Sequence, residues 1–174
     1  MTTTTRTRRG RRSPVIENLS RGLTAAAAIG AALSAGVYLA FSTFVMPGLR
    51  KQSPPQAISA MNSINRAAPS SPLLMLVLFG TAIVCVLAMV AGIKRHDAAT
   101  AWQIAGCVLY LISVLILVGY HVPHNDELMK VDPDSPGAGA VWSHFYSAWM
   151  AWNHARTLAA FGGATALVLA LRAR

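Results

Sequence analysis

Residues Leu73 to Ile93 read LLMLVLFGTAIVCVLAMVAGI, an apolar run without one charged side chain. A helix rises about 1.5 Å per residue, so about 20 such residues cross the roughly 30 Å of hydrocarbon in a bilayer. A soluble surface helix carries an apolar stripe and a polar face. This run has no polar face, so its surroundings are apolar on every side. Three further stretches have the same character, at 23–45, 102–120 and 149–171, and only the last contains a charge, Arg156. The reading is all-α: an integral membrane bundle of four helices.

Composition agrees. Of 174 residues, 54% are hydrophobic and 12% charged, against about a quarter charged in soluble domains. The formal charge of +9 is concentrated at the start, in Arg6, Arg8, Arg9, Arg11 and Arg12. A basic tail just before a first span is what the positive-inside bias and anionic headgroups produce, so nucleic acid is not expected as a partner. The apolar run behind the tail is longer than the 7–15 residues or so of a signal-peptide core, and a retained span is expected. Residues 1–22 then form a basic, disordered tail, 23–171 the membrane domain and 172–174 a short second tail.

The positive charges set an orientation. Arg21 and the tail, Lys94 and Arg95 between spans two and three, and Arg172 and Arg174 after span four fall on one side. That side is expected to be cytoplasmic, with both termini on it, in the plasma membrane of a bacterium. Spans two and three are expected to form an antiparallel hairpin across the short inner link.

The outer connections are longer. In the first, Met46-Pro47-Gly48 is expected to end span one, and Gln56 to Arg66 reads as a short interfacial helix between Pro55 and Pro69. It places Ile58 and Met61 on one face, with Asn62 and Asn65 beside them. In the second, His121-Val122-Pro123-His124-Asn125 is expected to be extended because of Pro123, and a turn follows at 132–137. Helix from Ala138 to Leu171 would measure about 50 Å. Trp142, Trp149 and Arg156 recur every seven residues along one stripe of it, and Trp142, Tyr146, Trp149 and Trp152 are expected to form an interfacial aromatic belt.

A polar or ionisable residue inside a span is costly and by default marks a site. Asn153, His154 and Arg156 form the densest such group. Asn153 and Arg156 share a helix face, whereas His154 points about 200° away from Arg156 and needs another neighbour, for which His121 and His124 are in reach. His121 or His154 suits acid–base work near neutral pH. His121, His124, His144 and His154 cluster toward the outer side and are weak candidates for copper or zinc. Cys85 and Cys107 read as small buried hydrophobes rather than a disulfide.

Four stretches carry a family resemblance: Phe44 to Leu49 (FVMPGL), Ala60 to Asn65 (AMNSIN), His121 to Leu128 (HVPHNDEL) and Trp149 to Thr157 (WMAWNHART). In this order they resemble the anthrone oxygenase-like family of small four-span membrane proteins. The third motif departs from the usual Asn-Val-Pro-Leu-Asn at His121 and His124, while Asn125, Asn153, His154 and Arg156 match. The resemblance implies oxidation of an apolar, anthrone-like aromatic with O2 as co-substrate and no cofactor. His154 or His121 would act as base, Arg156, Asn125 and Asn62 would stabilise the enolate oxygen, and Asn153 would join the catalytic group and Asn65 the substrate-binding one. The substrate would enter sideways from the membrane, between spans lined by Tyr38, Phe41 and Trp149.

The competing reading is a non-catalytic membrane protein that binds a lipid, a metal or a partner subunit. Small residues at Gly30, Ala31, Ser34, Ala35 and Gly36, and at Gly162 and Gly163, would let helices of a homo-oligomer pack closely.

Overall fold

A computed structural model describes residues 14–92 and 97–173. The basic tail up to Ser13, Ile93 at the expected end of span two, the link residues Lys94, Arg95 and His96, and Arg174 lie outside the described residues, as does the expectation attached to each. Among the described residues every regular element is helical. They are α1 (Pro14–Ala40), α2 (Met46–Arg50), α3 (Pro54–Ala67), α4 (Pro72–Met75), α5 (Thr81–Gly92), α6 (Ala98–Ile116), α7 (Val122–Met129) and α8 (Ala138–Arg172), with π-helical turns at Phe41–Val45, Leu76–Gly80 and Leu117–His121.

These join into four segments long and apolar enough to cross a membrane: Glu17–Arg50, Pro72–Gly92, Ala98–Met129 and Ala138–Arg172. Large apolar side chains project outward all round, with Leu115 69% and Leu158 72% exposed. Only lipid can solvate such a belt at low cost, so the fold is that of an integral membrane protein.

The spans neighbour one another in the order one, two, three, four and back to one. Small residues set two of the contacts. A β-carbon on Gly163 would lie 2.9 Å from the Gly106 carbonyl oxygen, and one on Gly30 would fall on the Thr81 side chain. Ala31, Ser34 and Ala35 are likewise buried against neighbouring spans of the same chain. Gly30 and Gly163, read as surfaces for a second copy, are thus occupied within the bundle, whereas Gly36 faces open space. Cys85 and Cys107 are free and fully buried.

Both prolines expected to interrupt the spans are instead absorbed. Pro47 sits in the first turn of α2 directly after the first π turn, and Pro123 in the first turn of α7 directly after the third. A proline ring collides with the carbonyl four residues back and leaves that carbonyl without its N–H partner. Here those residues are Thr43 and Gly119, both within the widened turns. Widening the preceding turn therefore removes the clash without ending the helix. Span one runs on to Arg50, and the segment from His121 onward is helical rather than extended.

The short helix in the first connection is present as α3. Ser53 precedes it, and its backbone N–H and hydroxyl both reach Gln56 Oε1. Ala57, Ile58, Met61 and Asn62 face inward. Ala57, Ile58 and Met61 pack with Met46, Leu128, Trp142, Phe145 and Trp149 into an apolar cluster above the main core. Trp142 and Trp149 are therefore core residues, not an outward belt; only Trp152, of the four aromatics proposed for it, is exposed.

Candidate functional site

The three π turns lie at the same end of the bundle as α3 and α7, and each contributes to one cavity of about 330 Å³. A π turn inserts one residue into a helix and re-aims the side chains around it, which is why such turns concentrate at functional sites. Tyr38 and Phe41 come from span one, Met61 and Asn65 from α3, Leu78 and Phe79 from span two, Leu117, His121 and Asn125 from span three, and Trp149 and Arg156 from span four. The lining is apolar with a few convergent polar groups, the usual character of a small-molecule site.

Arg156 is the centre of its electrostatics. It is 6% exposed, and its Nε donates to Asn153 Oδ1 at 2.9 Å. Its guanidinium lies 4.0 Å from the Tyr38 ring centroid and 5.8 Å from that of Trp149. Asn153 is itself held from span one: Nδ2 donates to the Tyr38 carbonyl at 2.8 Å and to Ser42 Oγ at 2.7 Å. That amide uses a carbonyl at the edge of the first π turn, where the helical ladder changes register. Among the described residues no carboxylate bonds Arg156, and the ion pair found there is Lys130–Glu127, at the surface.

Four polar atoms of cavity residues are buried without a protein partner: Arg156 Nη1, His121 Nε2, Asn65 Nδ2 and Tyr38 Oη. Such atoms are rare because each costs about 1–3 kcal/mol, and more where charge is involved. His121 Nδ1 lies 3.4 Å from the Ile116 carbonyl. A carbonyl only accepts, so in the tautomer that makes this contact a hydrogen bond the proton is on Nδ1 and the lone pair on Nε2. The His121 ring meets Trp149 edge-on at 4.9 Å, and Trp149 Nε1 donates to Asn125 Oδ1 at 3.0 Å.

Not every expected residue joins this group. His154 is exposed on the far side of α8, because two residues along a helix turn the side chain about 200° from Arg156. It meets neither His121 nor His124. His124 is exposed, stacks on Tyr120 at 3.9 Å and bonds the Tyr120 carbonyl at 2.7 Å. Together with His144 it lines a separate, shallow groove between α7 and the start of α8. No group of three or more His, Cys, Asp or Glu among the described residues is arranged to hold a metal ion. Asn62 lies behind the cavity wall, with Nδ2 3.5 Å from the Leu128 carbonyl, and joins α3 to α7.

The sequence does not single out Ser42 or Phe79, and Asp126, which reads as a solvated carboxylate, is exposed but lines the cavity. Ser42 had a signal: it lies four residues after Tyr38, on the same helical face.

Fold and site together define a four-span membrane protein with a buried, uncompensated cation facing an apolar cavity. The family model described as anthrone oxygenase matches residues 61–166, more than half of the chain, and the protein belongs to that family. The match begins within α3, at Met61, and takes in the motifs around His121 and Arg156, whereas the FVMPGL motif precedes it. No curated protein and no solved structure matches the chain.

Proposed function

We propose that the protein is an oxygenase of a bacterial plasma membrane that oxidises an apolar, ionisable aromatic of the anthrone type with O2. The observation that carries this reading is the pairing of a buried guanidinium nitrogen and an imidazole nitrogen, both without protein partners, in one cavity. A buried cation without a carboxylate is costly, and an anionic ligand is its natural complement.

The chemistry follows from the parts. The methylene of an anthrone is acidic because its conjugate base is aromatic, with the charge on oxygen. His121 Nε2 takes the methylene proton. Arg156 Nη1 and Asn65 Nδ2 hold the oxyanion, a stabilisation strengthened by the apolar lining. The electron-rich carbon then reduces O2 and forms a C–O bond, and return of the proton gives a hydroperoxide. Loss of water across its O–O and C–H bonds leaves the quinone carbonyl. The carbon gives up four electrons; one oxygen atom enters the product and the other leaves as water. His121 replaces His154 as the base in this scheme, and Asn153 holds Arg156 in place. The cavity end faces outward on the charge bias of the connections.

The test is oxygen uptake and quinone absorbance with 1,8-dihydroxyanthrone and the purified protein in liposomes, beside protein-free liposomes and Arg156→Ala. The proposal expects wild-type turnover well above both controls. Equal rates in all three would remove the enzyme and leave a binding protein.

A further inference from the structure

The exposed residues that line the cavity are Pro69, Phe79, Val122 and Asp126. They mark its mouth. Every lining residue from spans one and four is buried or half-buried, so Tyr38, Phe41 and Trp149, expected to flank an entrance, form the back wall instead. The end facing water is roofed by α3 and α7, where Met61 and Leu128 are almost fully buried in one cluster and Asn62 reaches the Leu128 carbonyl. Spans two and three pack along α5 and α6, and the cavity opens where they continue beyond their π turns.

The mouth is therefore on the side of the bundle. Phe79 is 39% and Val122 44% exposed, and both belong to segments that cross the membrane. Asp126, four residues beyond Val122, stands at the rim one turn closer to the α3 and α7 end.

We infer that the site is loaded laterally, through a portal between spans two and three bounded by Phe79 and Val122, by an apolar molecule already dissolved in the lipid. A molecule entering here passes from lipid to an apolar lining without crossing water, and meets Arg156 and His121 only at the end of its path. This rests on the reading above that the cavity is the working site, but it concerns access, and access can be measured without turnover.

The experiment uses Met61→Cys and Leu78→Cys, whose parent side chains line the cavity from α3 and from span two and are 1% and 5% exposed. Each full-length variant, in liposomes, is treated with lipid-soluble phenylmaleimide or with a sulfonated maleimide confined to water. Labelling of Cys85 and Cys107 in the wild type sets the baseline. The portal predicts that phenylmaleimide labels both cysteines faster than the sulfonated reagent. Val122→Trp, added to narrow the mouth, should slow phenylmaleimide by about tenfold, a modest rise in an access barrier. Phe79→Ala should speed it, and Leu158→Trp on the lipid face of span four should do neither. Labelling that is equal for the two reagents, or indifferent to both mouth substitutions, overturns the portal. Failure of the anthrone assay with the labelling pattern intact would instead remove the proposed reaction and leave the portal standing.

Discussion

Asn153 Oδ1 accepts from Arg156 Nε at 2.9 Å, and the amide nitrogen of the same side chain is tied to span one through the Tyr38 carbonyl and Ser42 Oγ. One asparagine thus fixes both the closure of span four on span one and the direction in which the guanidinium points. The Nη1 atom that remains without a partner is aimed by this arrangement, which makes the pair the organising contact of the site.

Asn153→Ala should therefore damage the fold as well as the site. It leaves a carbonyl and a guanidinium N–H buried without their partners, at about 1–3 kcal/mol each. Thermal unfolding in detergent should show a clear fall in midpoint. Asn153→Asp keeps an acceptor for Arg156 and places a carboxylate beside it, so it should fold better than the alanine variant yet lose affinity for anionic aromatics. Equal stability of the two variants would contradict the bonding scheme.

Arg156→Met separates charge from packing. Replacing buried ion pairs by apolar side chains of similar volume is often neutral or stabilising by about 1–4 kcal/mol; here the relief of an unpaired buried charge is offset by the lost bond to Asn153 and the lost contacts with the Tyr38 and Trp149 rings. The midpoint should stay near that of the wild type while turnover of 1,8-dihydroxyanthrone disappears. A large fall in midpoint would mean that the cation serves the fold and not a ligand.

The two histidines of the matched motifs should behave in opposite ways. His121 is fully buried and lines the cavity, whereas His154 is exposed on the other side of its helix. His121→Ala should abolish anthrone turnover, and His154→Ala should leave it within about twofold, as for a surface change remote from the reacting atoms. The converse result would return the role of base to His154 and require α8 to rotate.

How much of this was legible depends on what hydropathy can encode. The spans, α3 with its inward Ile58 and Met61, and the shared face of Asn153 and Arg156 follow from periodicity, because 3.6 residues per turn is a fixed geometry. Trp142 and Trp149 were misplaced because a tryptophan's composition does not say whether a helix above it, here α3, covers it. The π turns were hidden for a different reason: apolar sequence reads the same at either pitch. Pro47 and Pro123 were the available signs. A proline alone signals a break, whereas a widened turn just before each of these lets the helix continue. The cavity depends on those turns, so its mouth was not legible either.

The contact between spans three and four gives a sharp packing test. A β-carbon on Gly163 would stand 2.9 Å from the Gly106 carbonyl oxygen and 3.1 Å from the Tyr110 backbone nitrogen. Both are backbone atoms, which cannot swing aside as a flexible side chain does, so Gly163→Ala must push α6 and α8 apart. Overpacking of this kind costs about 1–3 kcal/mol. At Gly36 nothing lies within 4 Å of the added carbon, and the same substitution gains roughly 0.5–1 kcal/mol from helix propensity. Thermal midpoints of the two variants should therefore move in opposite directions. Because Gly36 faces outward, its substitution is also the one that would disturb a homo-oligomer: a fall in its midpoint that depends on protein concentration would place a second copy on that face.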